Sequence, residues 1–328
     1  MADFEDLTGK DVAPEMCADP RAAERAPEPP KQPAKRALST ISRATYIKES
    51  ALRTLFLACA CVAVAGVALI FIFVGLEGWP IFAKVGLGAF LFGPEWAPAK
   101  GHYGILALTI NSMLAMAGAL ALGAPLAVGT AVFLSEVASP RARSFVRPAV
   151  ELLAGIPSVV YGFFGLVLLR PIIAQLFGGL GFGLLTAWLI LAVMVVPTIA
   201  TLTEDALRSV PDGIREASYS MGATKWQTIW RVLLPAAKIG IIDAVILGMG
   251  RAIGETMAVL MIAGNAAVVP DGILKPFLTL TTVIVLQMPY ASGDNRTALF
   301  GVAIVLFVIS MTFVAAIRII SRFGKRMV

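Results

Sequence analysis

The chain has 328 residues, 58% of them hydrophobic and 15% charged, with a mean hydropathy of +0.83. That balance excludes an ordinary soluble domain and describes a protein that crosses a membrane several times. The net charge of +6 does not point to nucleic acid, because Lys and Arg fall in short clusters between apolar runs rather than on one face of a domain.

Residues 1–50 mix acidic residues with Ala and Pro and lack the apolar stretch of a cleavable signal peptide, so a disordered cytoplasmic tail is expected there. Residues 51–328 then form the membrane domain. Six apolar segments follow, at about 52–75, 104–134, 148–169, 184–203, 236–264 and 297–317. Each is near the ~20 residues a helix needs to cross the hydrocarbon core, and backbone groups in lipid must bond within their own segment, so all six are predicted helices. Cys17, Cys59 and Cys61 have neither disulfide-framework nor metal-ligand spacing and read as free thiols, and His102 lacks a second ligand nearby.

Basic clusters fix the orientation, since positively charged loops stay in the cytoplasm. Arg43 and Lys48 precede span 1 and Arg53 opens it, Arg141, Arg143 and Arg147 separate spans 2 and 3, Arg208 to Lys238 run from the end of span 4 to the first turn of span 5, and Arg318 to Arg326 follow span 6. The opposite connections are poor in positive charge, so both termini are cytoplasmic. Trp79 and Trp96 flank the first external loop, where they either anchor in the membrane interface or pack within the loop. No internal repeat is visible, and the two halves show no matched interrupted helices of the sort found in inverted-repeat transporters.

In the third span, Gly155 and Pro157 interrupt the helical pattern; Pro157 frees a carbonyl, and Ser158 and Tyr161 supply hydroxyls. This is either a packing kink or a place where donors meet an anion. Arg170 marks the external mouth or the membrane interface.

Between spans 4 and 5, at about 206–236, SVPDGIREASYSMGATKWQTIWRVLLPAAK has helix signals instead of linker composition. Asp212 is placed to cap a first short helix, Gly222 permits a sharp turn, and Pro235 is expected to end a second helix. Glu216, Ala217, Ser218, Gly222, Val232, Leu234 and Pro235 resemble, with matching spacing, the EAA signature of permease subunits of binding-protein-dependent ABC importers; Ser218 and Val232 are conservative departures. The resemblance implies a MetI-like type I permease whose loop seats a coupling helix on a cytoplasmic ATPase. The chain contains no phosphate-binding loop of its own. It is therefore expected to be a non-catalytic transport subunit that binds no cofactor, with ATP and Mg on the partner subunit.

The fifth apolar run contains GRAIGETMAV, and Arg251 and Glu255 are four residues apart. In a continuous helix they share a face and touch. Either they form a structural ion pair fixing helix rotation, or Arg251 gives an oxyanion a resting position with Glu255 as its counter-charge and as an acceptor for an anion that still carries a proton. Gly250 and Gly254 add a small-xxx-small step for a close helix neighbour. GRAIGETMAVLMIAGN, together with LLAGIPSVVYGFFGL at 152–166 and LAVGTAVFLSE at 126–136, resembles the phosphate-importer permeases, and among them the PstC family rather than its PstA paralogues.

That second resemblance implies a multi-pass subunit of the bacterial inner membrane. Its partners would be a PstA-like permease, two copies of a PstB-like ATPase and an external PstS-like phosphate-binding protein. Arg251 and Glu255 would then lie on a phosphate pathway, to which the break in the third span adds Ser158 and Tyr161 as candidates; the chain itself would contact membrane lipid and no nucleic acid. The alternatives are a permease for molybdate or sulfate, an ATP-independent channel or transporter, and a membrane scaffold that reports phosphate status.

Overall fold

The computed structural model describes residues 43–325. Most of the tail expected over residues 1–50 lies outside the described residues, and helix α1 (Arg43–Val85) already covers its end. The chain divides into two units, Met1–Gly66 and Val67–Val328. The described residues of the first unit form the opening turns of α1, which carries no amphipathic stripe, as suits a helix surrounded by lipid. All further elements belong to the second unit.

Among the described residues, six helices are long and apolar enough to cross a bilayer: Ala51–Val85, Leu106–Val137, Ser158–Phe177, Leu184–Arg208, Lys225–Gly254 and Gly293–Ala315. They match the six predicted spans in order. An even number of crossings returns the chain to the side on which it began.

After α1 come a short helix α2 (Leu87–Phe92) and a hairpin of two strands, β1 (Trp96–Ala97) and β2 (His102–Tyr103), paired antiparallel with Trp96 opposite Tyr103. Trp96 is buried, and its indole Nε1 donates to Gln287 Oε1 at 3.1 Å. It packs with Phe90, Ile105, Leu280 and Leu299, so of the two expected roles it takes loop packing, whereas Trp79 stays exposed as an interfacial residue does.

Helix α3 (Leu106–Val132) continues through a π turn (Phe133–Val137) to complete span 2, then α4 (Pro140–Gly155) follows. Span 4 is α7 (Leu184–Arg208), packed tightly against α3. Gly118 makes that approach possible, because a Cβ there would lie 2.1 Å from the Trp188 ring. Trp188 Nε1 donates to the Leu114 carbonyl at 2.8 Å and fixes the register of the pair.

Two predicted spans are corrected. Span 3 does not begin at 148: α4 is a separate amphipathic helix, and α5 (Ser158–Phe164) starts the crossing, running on through a π turn (Gly165–Leu169) into α6 (Arg170–Phe177). Pro157 causes the break, since it lacks an N–H and its ring excludes the preceding turn. Span 5 does not begin at 236 or run unbroken to 264. It starts with α9 (Lys225–Thr228), passes a π turn (Ile229–Leu233), continues as α10 (Leu234–Gly254), and stops. Pro235 therefore does not end the second helix of the loop. The five-residue turn just before it widens the backbone where an α-helix would clash with the ring. After Glu255 and Thr256 a new helix, α11 (Met257–Ile262), leads by an external loop to α12 (Leu280–Gln287) and then α13 (Gly293–Lys325).

Candidate functional site

The interrupted third and fifth spans meet inside the membrane domain. Gly162 of α5 lies against α11, where a Cβ would be 2.8 Å from the Ala258 Cα. At the first interruption, Pro157 leaves the Leu153 carbonyl without its helical donor. The Tyr161 hydroxyl replaces it at 2.8 Å, and Tyr161 is buried. That is the freed carbonyl expected from the sequence. Ser158 is half-buried at the first turn of α5.

At the second interruption the expected contact between Arg251 and Glu255 does not form. Helix α10 ends at Gly254, and Glu255 has extended backbone (φ −71°, ψ 121°), which turns its side chain off the face it would share with Arg251. Glu255 Oε1 instead accepts from the Ala258 amide at 3.1 Å, as an N-cap group does at the start of α11. The Thr281 hydroxyl donates to the Glu255 carbonyl at 3.3 Å and links α12 to the break. Arg251 is half-buried; Nη1 donates to Thr198 Oγ1 of span 4 at 3.5 Å, and no carboxylate pairs with it among the described residues. Arg251 stands ~20 Å along the helix from Lys238 at a 1.5 Å rise per residue. Gly250 and Gly254 face open space, with no atom within 4 Å of a Cβ built there.

The second set of predicted residues forms an elbow below the membrane. Helix α8 (Asp212–Ser220) ends at Gly222, whose φ of +81° only glycine adopts without strain. The Gly222 amide bonds to the Tyr219 carbonyl at 2.9 Å and the Ala223 amide to the Ser218 carbonyl at 3.2 Å, a Schellman closure. Helix α9 then starts with a capping box between Thr224 and Gln227. Asp212 is not the expected cap: it lies in the first turn of α8 and pairs with Arg215.

Ser218 and Thr228 hydroxyls, 2.9 Å apart, hold the two arms together. Between the arms a groove of about 670 Å³ is lined by Ile214, Ala217, Ser218, Gly222, Arg231 and Val232. Glu216 and Ala217 are exposed, as are the large apolar Met221 and Trp226. Leu234 is half-buried and Pro235 exposed on the arm that enters the membrane.

Residues 119–325, more than half of the chain, match the family described as binding-protein-dependent transport system inner membrane component. The chain belongs to the binding-protein-dependent transport permeases. The permease is 41% identical over 277 residues to the probable ABC transporter permease protein YqgH of Bacillus subtilis, covering 82% of this chain and 89% of that one. It is 36% identical to the phosphate transport system permease protein PstC of Mesorhizobium japonicum, covering 73% and 80%, and 33% identical to PstC of Pasteurella multocida, covering 74% and 82%.

Among solved structures, a bacterial alginate ABC transporter in complex with its alginate-bound periplasmic protein superposes with a TM-score of 0.61 at 17% identity, over 84% of this chain and 96% of that one. The MetNI methionine transporter in an inward-facing conformation matches with a TM-score of 0.52 at 24% identity, over 67% and 94%. These likenesses carry the fold. The permease is thus a multi-pass inner-membrane, non-catalytic subunit of the MetI-like architecture, and it works with an ATPase and a binding protein.

Sequence reading missed three charged residues of this region. Glu204, 1% exposed on span 4, lies among Arg208 at 2.5 Å, Arg147 at 3.9 Å and Arg143 at 4.0 Å. Glu151 and Glu204 hold Arg147 more firmly protonated than usual. Glu136, at the end of span 2, faces Arg215 of α8. Glu204 lies far along the chain from Arg143 and Arg147, as does Glu136 from Arg215, whereas Glu204 with Arg208 and Arg147 with Glu151 are helical neighbours four residues apart.

Proposed function

We propose that the permease carries inorganic phosphate, forming the pathway with a PstA-like paralogue while two PstB-like ATPases, which bind the ATP and Mg, drive it and an external PstS-like protein supplies phosphate. The observation that carries this reading is Arg251, a guanidinium inside a membrane-spanning helix with no carboxylate partner among the described residues. Such a charge is costly in lipid unless it faces water, an anion or another chain. A planar guanidinium offers paired donors to phosphate oxygens and offsets the loss of anion hydration. The relatives named PstC support phosphate as the anion.

Glu255 takes a different part from the one expected of an ion-pair partner. Oε1 secures the start of α11, and Oε2 remains to accept a proton-bearing oxygen of hydrogen phosphate, which sulfate lacks. Ser158 and Tyr161 line the neighbouring break. The open faces of Gly250 and Gly254 are where the paralogous permease approaches. Glu216, Ala217, Ser218, Gly222, Leu234 and Pro235 shape the elbow and its groove for the ATPase.

The test is reconstitution of the permease with its candidate partners in vesicles, measuring ATP-dependent uptake of phosphate against sulfate. Phosphate uptake that needs ATP and resists excess sulfate is the expected result. Uptake of sulfate in place of phosphate, or phosphate flux without the ATPase, refutes it.

A further inference from the structure

We propose that Arg215 is a positioning residue that ties the elbow to spans 2 and 4, so that a displacement of α8 moves those spans directly and not only span 5, to which the chain joins it. Arg215 has both terminal nitrogens engaged. Nη1 donates to the Val210 carbonyl and to Asp212 Oδ1, each at 2.8 Å; Nη2 donates to the Leu207 carbonyl at 2.9 Å and to Glu136 Oε1 at 3.1 Å. The Arg215 and Glu136 side chains are 16% and 9% exposed, so water screens their interaction poorly.

Apart from Asp212 on its own helix, the partners of Arg215 belong to two spans. Glu136 is in the π turn that ends span 2, and Leu207 and Val210 are at the end of span 4, where unpaired helix carbonyls favour a cation. Glu136 is itself oriented: Ser135 Oγ donates to Oε1 at 2.8 Å, and Arg143 donates to the carbonyls of Leu134 and Ser135.

The rest of the elbow meets these spans through Ala131, Leu207, Val210, Ile229, Leu233 and Ala237. Apolar contacts are non-directional and allow one surface to slide over another. A guanidinium held by three oxygens outside its own helix does not slide, because its donors have fixed directions. Spans 2 and 4 are already locked by Trp188 and Leu114. A push on α8 therefore reaches a pre-assembled pair, and span 4 carries Thr198, the contact of Arg251.

The inference rests on membership of an ATP-driven importer and not on which solute is carried. Arg215→Gln, Glu136→Gln and the double variant should be reconstituted with the ATPase, the paralogous permease and the binding protein. ATP hydrolysis and phosphate uptake are then measured on the same vesicles. Each single variant is expected to co-purify with the ATPase and hydrolyse ATP, with uptake per ATP lowered about tenfold, the order set by losing a charged hydrogen bond. The double variant should be no worse than the poorer single, as for one shared interaction.

Glu136→Gln leaves α8 unaltered, so it tests the tie even where Arg215→Gln assembles poorly. A second arm needs no solute: spin labels at Ser220 and Val137, in a background without Cys17, Cys59 and Cys61, report the distance from α8 to the end of span 2. That distance should stay fixed on ATP binding in the otherwise native complex and change in Arg215→Gln. Normal uptake per ATP in both single variants, multiplicative losses in the double, or an ATP-independent distance in Arg215→Gln overturns the tie. A wild-type complex that takes up no phosphate refutes the proposed solute, and the spin-label arm still judges the tie.

Discussion

The Tyr161 hydroxyl donates to the Leu153 carbonyl at 2.8 Å and spans the break at Pro157. A proline kink is thereby stabilised by a side chain one turn further on. Tyr161→Phe removes this donor and should lower stability by about 1 kcal/mol, the usual net worth of one hydrogen bond, seen as a reduced melting temperature of the purified complex. Unchanged phosphate uptake in that variant would assign Tyr161 to the fold alone.

Arg251 and Glu255 separate by experiment because they are separate in space. Arg251→Gln should reduce uptake by at least about tenfold, since a charged hydrogen bond is worth ~1.5–3 kcal/mol, while assembly with the ATPase survives. Glu255→Gln keeps an oxygen for the Ala258 amide and should retain stability while altering preference between phosphate and sulfate. Glu255→Ala also loses the cap and should destabilise by about 1 kcal/mol. Normal uptake by Arg251→Gln would remove that residue from the pathway.

Glu204 is a buried carboxylate among three guanidiniums. Replacing it with Leu removes the shared counter-charge of three arginines whose side chains are 35–37% exposed, while Arg147 keeps Glu151. Water compensates part of the loss, so about 1.5–3 kcal/mol is expected, the worth of a charged hydrogen bond. Arg143→Ala, which leaves two arginines in place, should cost much less; equal losses in the two variants would contradict this picture.

Gly222→Val places a β-branched residue at φ +81°. The left-handed conformation costs ~1–2 kcal/mol for a residue with a Cβ, so the elbow should open and the ATPase should fail to co-purify. Retained co-purification would show that the turn is not needed for docking.

The external hairpin has its own pH dependence. The His102 side chain first, then the Lys100 charge, hold the Glu95 carboxyl below the usual carboxylate range. A folded-state value below the unfolded one adds stability above the unfolded value, near 4.3, and loses it as pH falls through the folded value. The protection of the amides of residues 95–103, corrected for the intrinsic slowing of exchange in acid, should therefore fall on acidification below that range, and His102→Ala, which removes the largest cause of the shift, should make that fall smaller.

The architecture was legible because lipid imposes a rule on backbone groups that composition satisfies in only one way, and apolar length marks each span. The elbow was legible because Gly222 and the residues around it are local punctuation. What escaped was the state of span 5. An apolar run through GRAIGETMAV gives no sign of a stop, and the decisive features are a carboxylate that prefers the Ala258 amide to Arg251 and a threonine of α12 on the Glu255 carbonyl. Similarly, Pro235 reads as a terminator until the π turn before it absorbs the ring. Arg215 and Glu136 are 79 positions apart, and only the folded chain brings them together.

The ties at Glu136 and Glu204 bear on how the chain is delivered to its membrane. Arg143, Arg147, Arg208 and Arg215 are among the residues whose positive charge selects the cytoplasmic side, and acidic residues count for little in that selection. Once the helices have assembled, two carboxylates engage all four guanidiniums. Assembly thus neutralises part of the address after the insertion machinery has read it. Orientation is then a memory of biogenesis, preserved by the same arginines in a second employment.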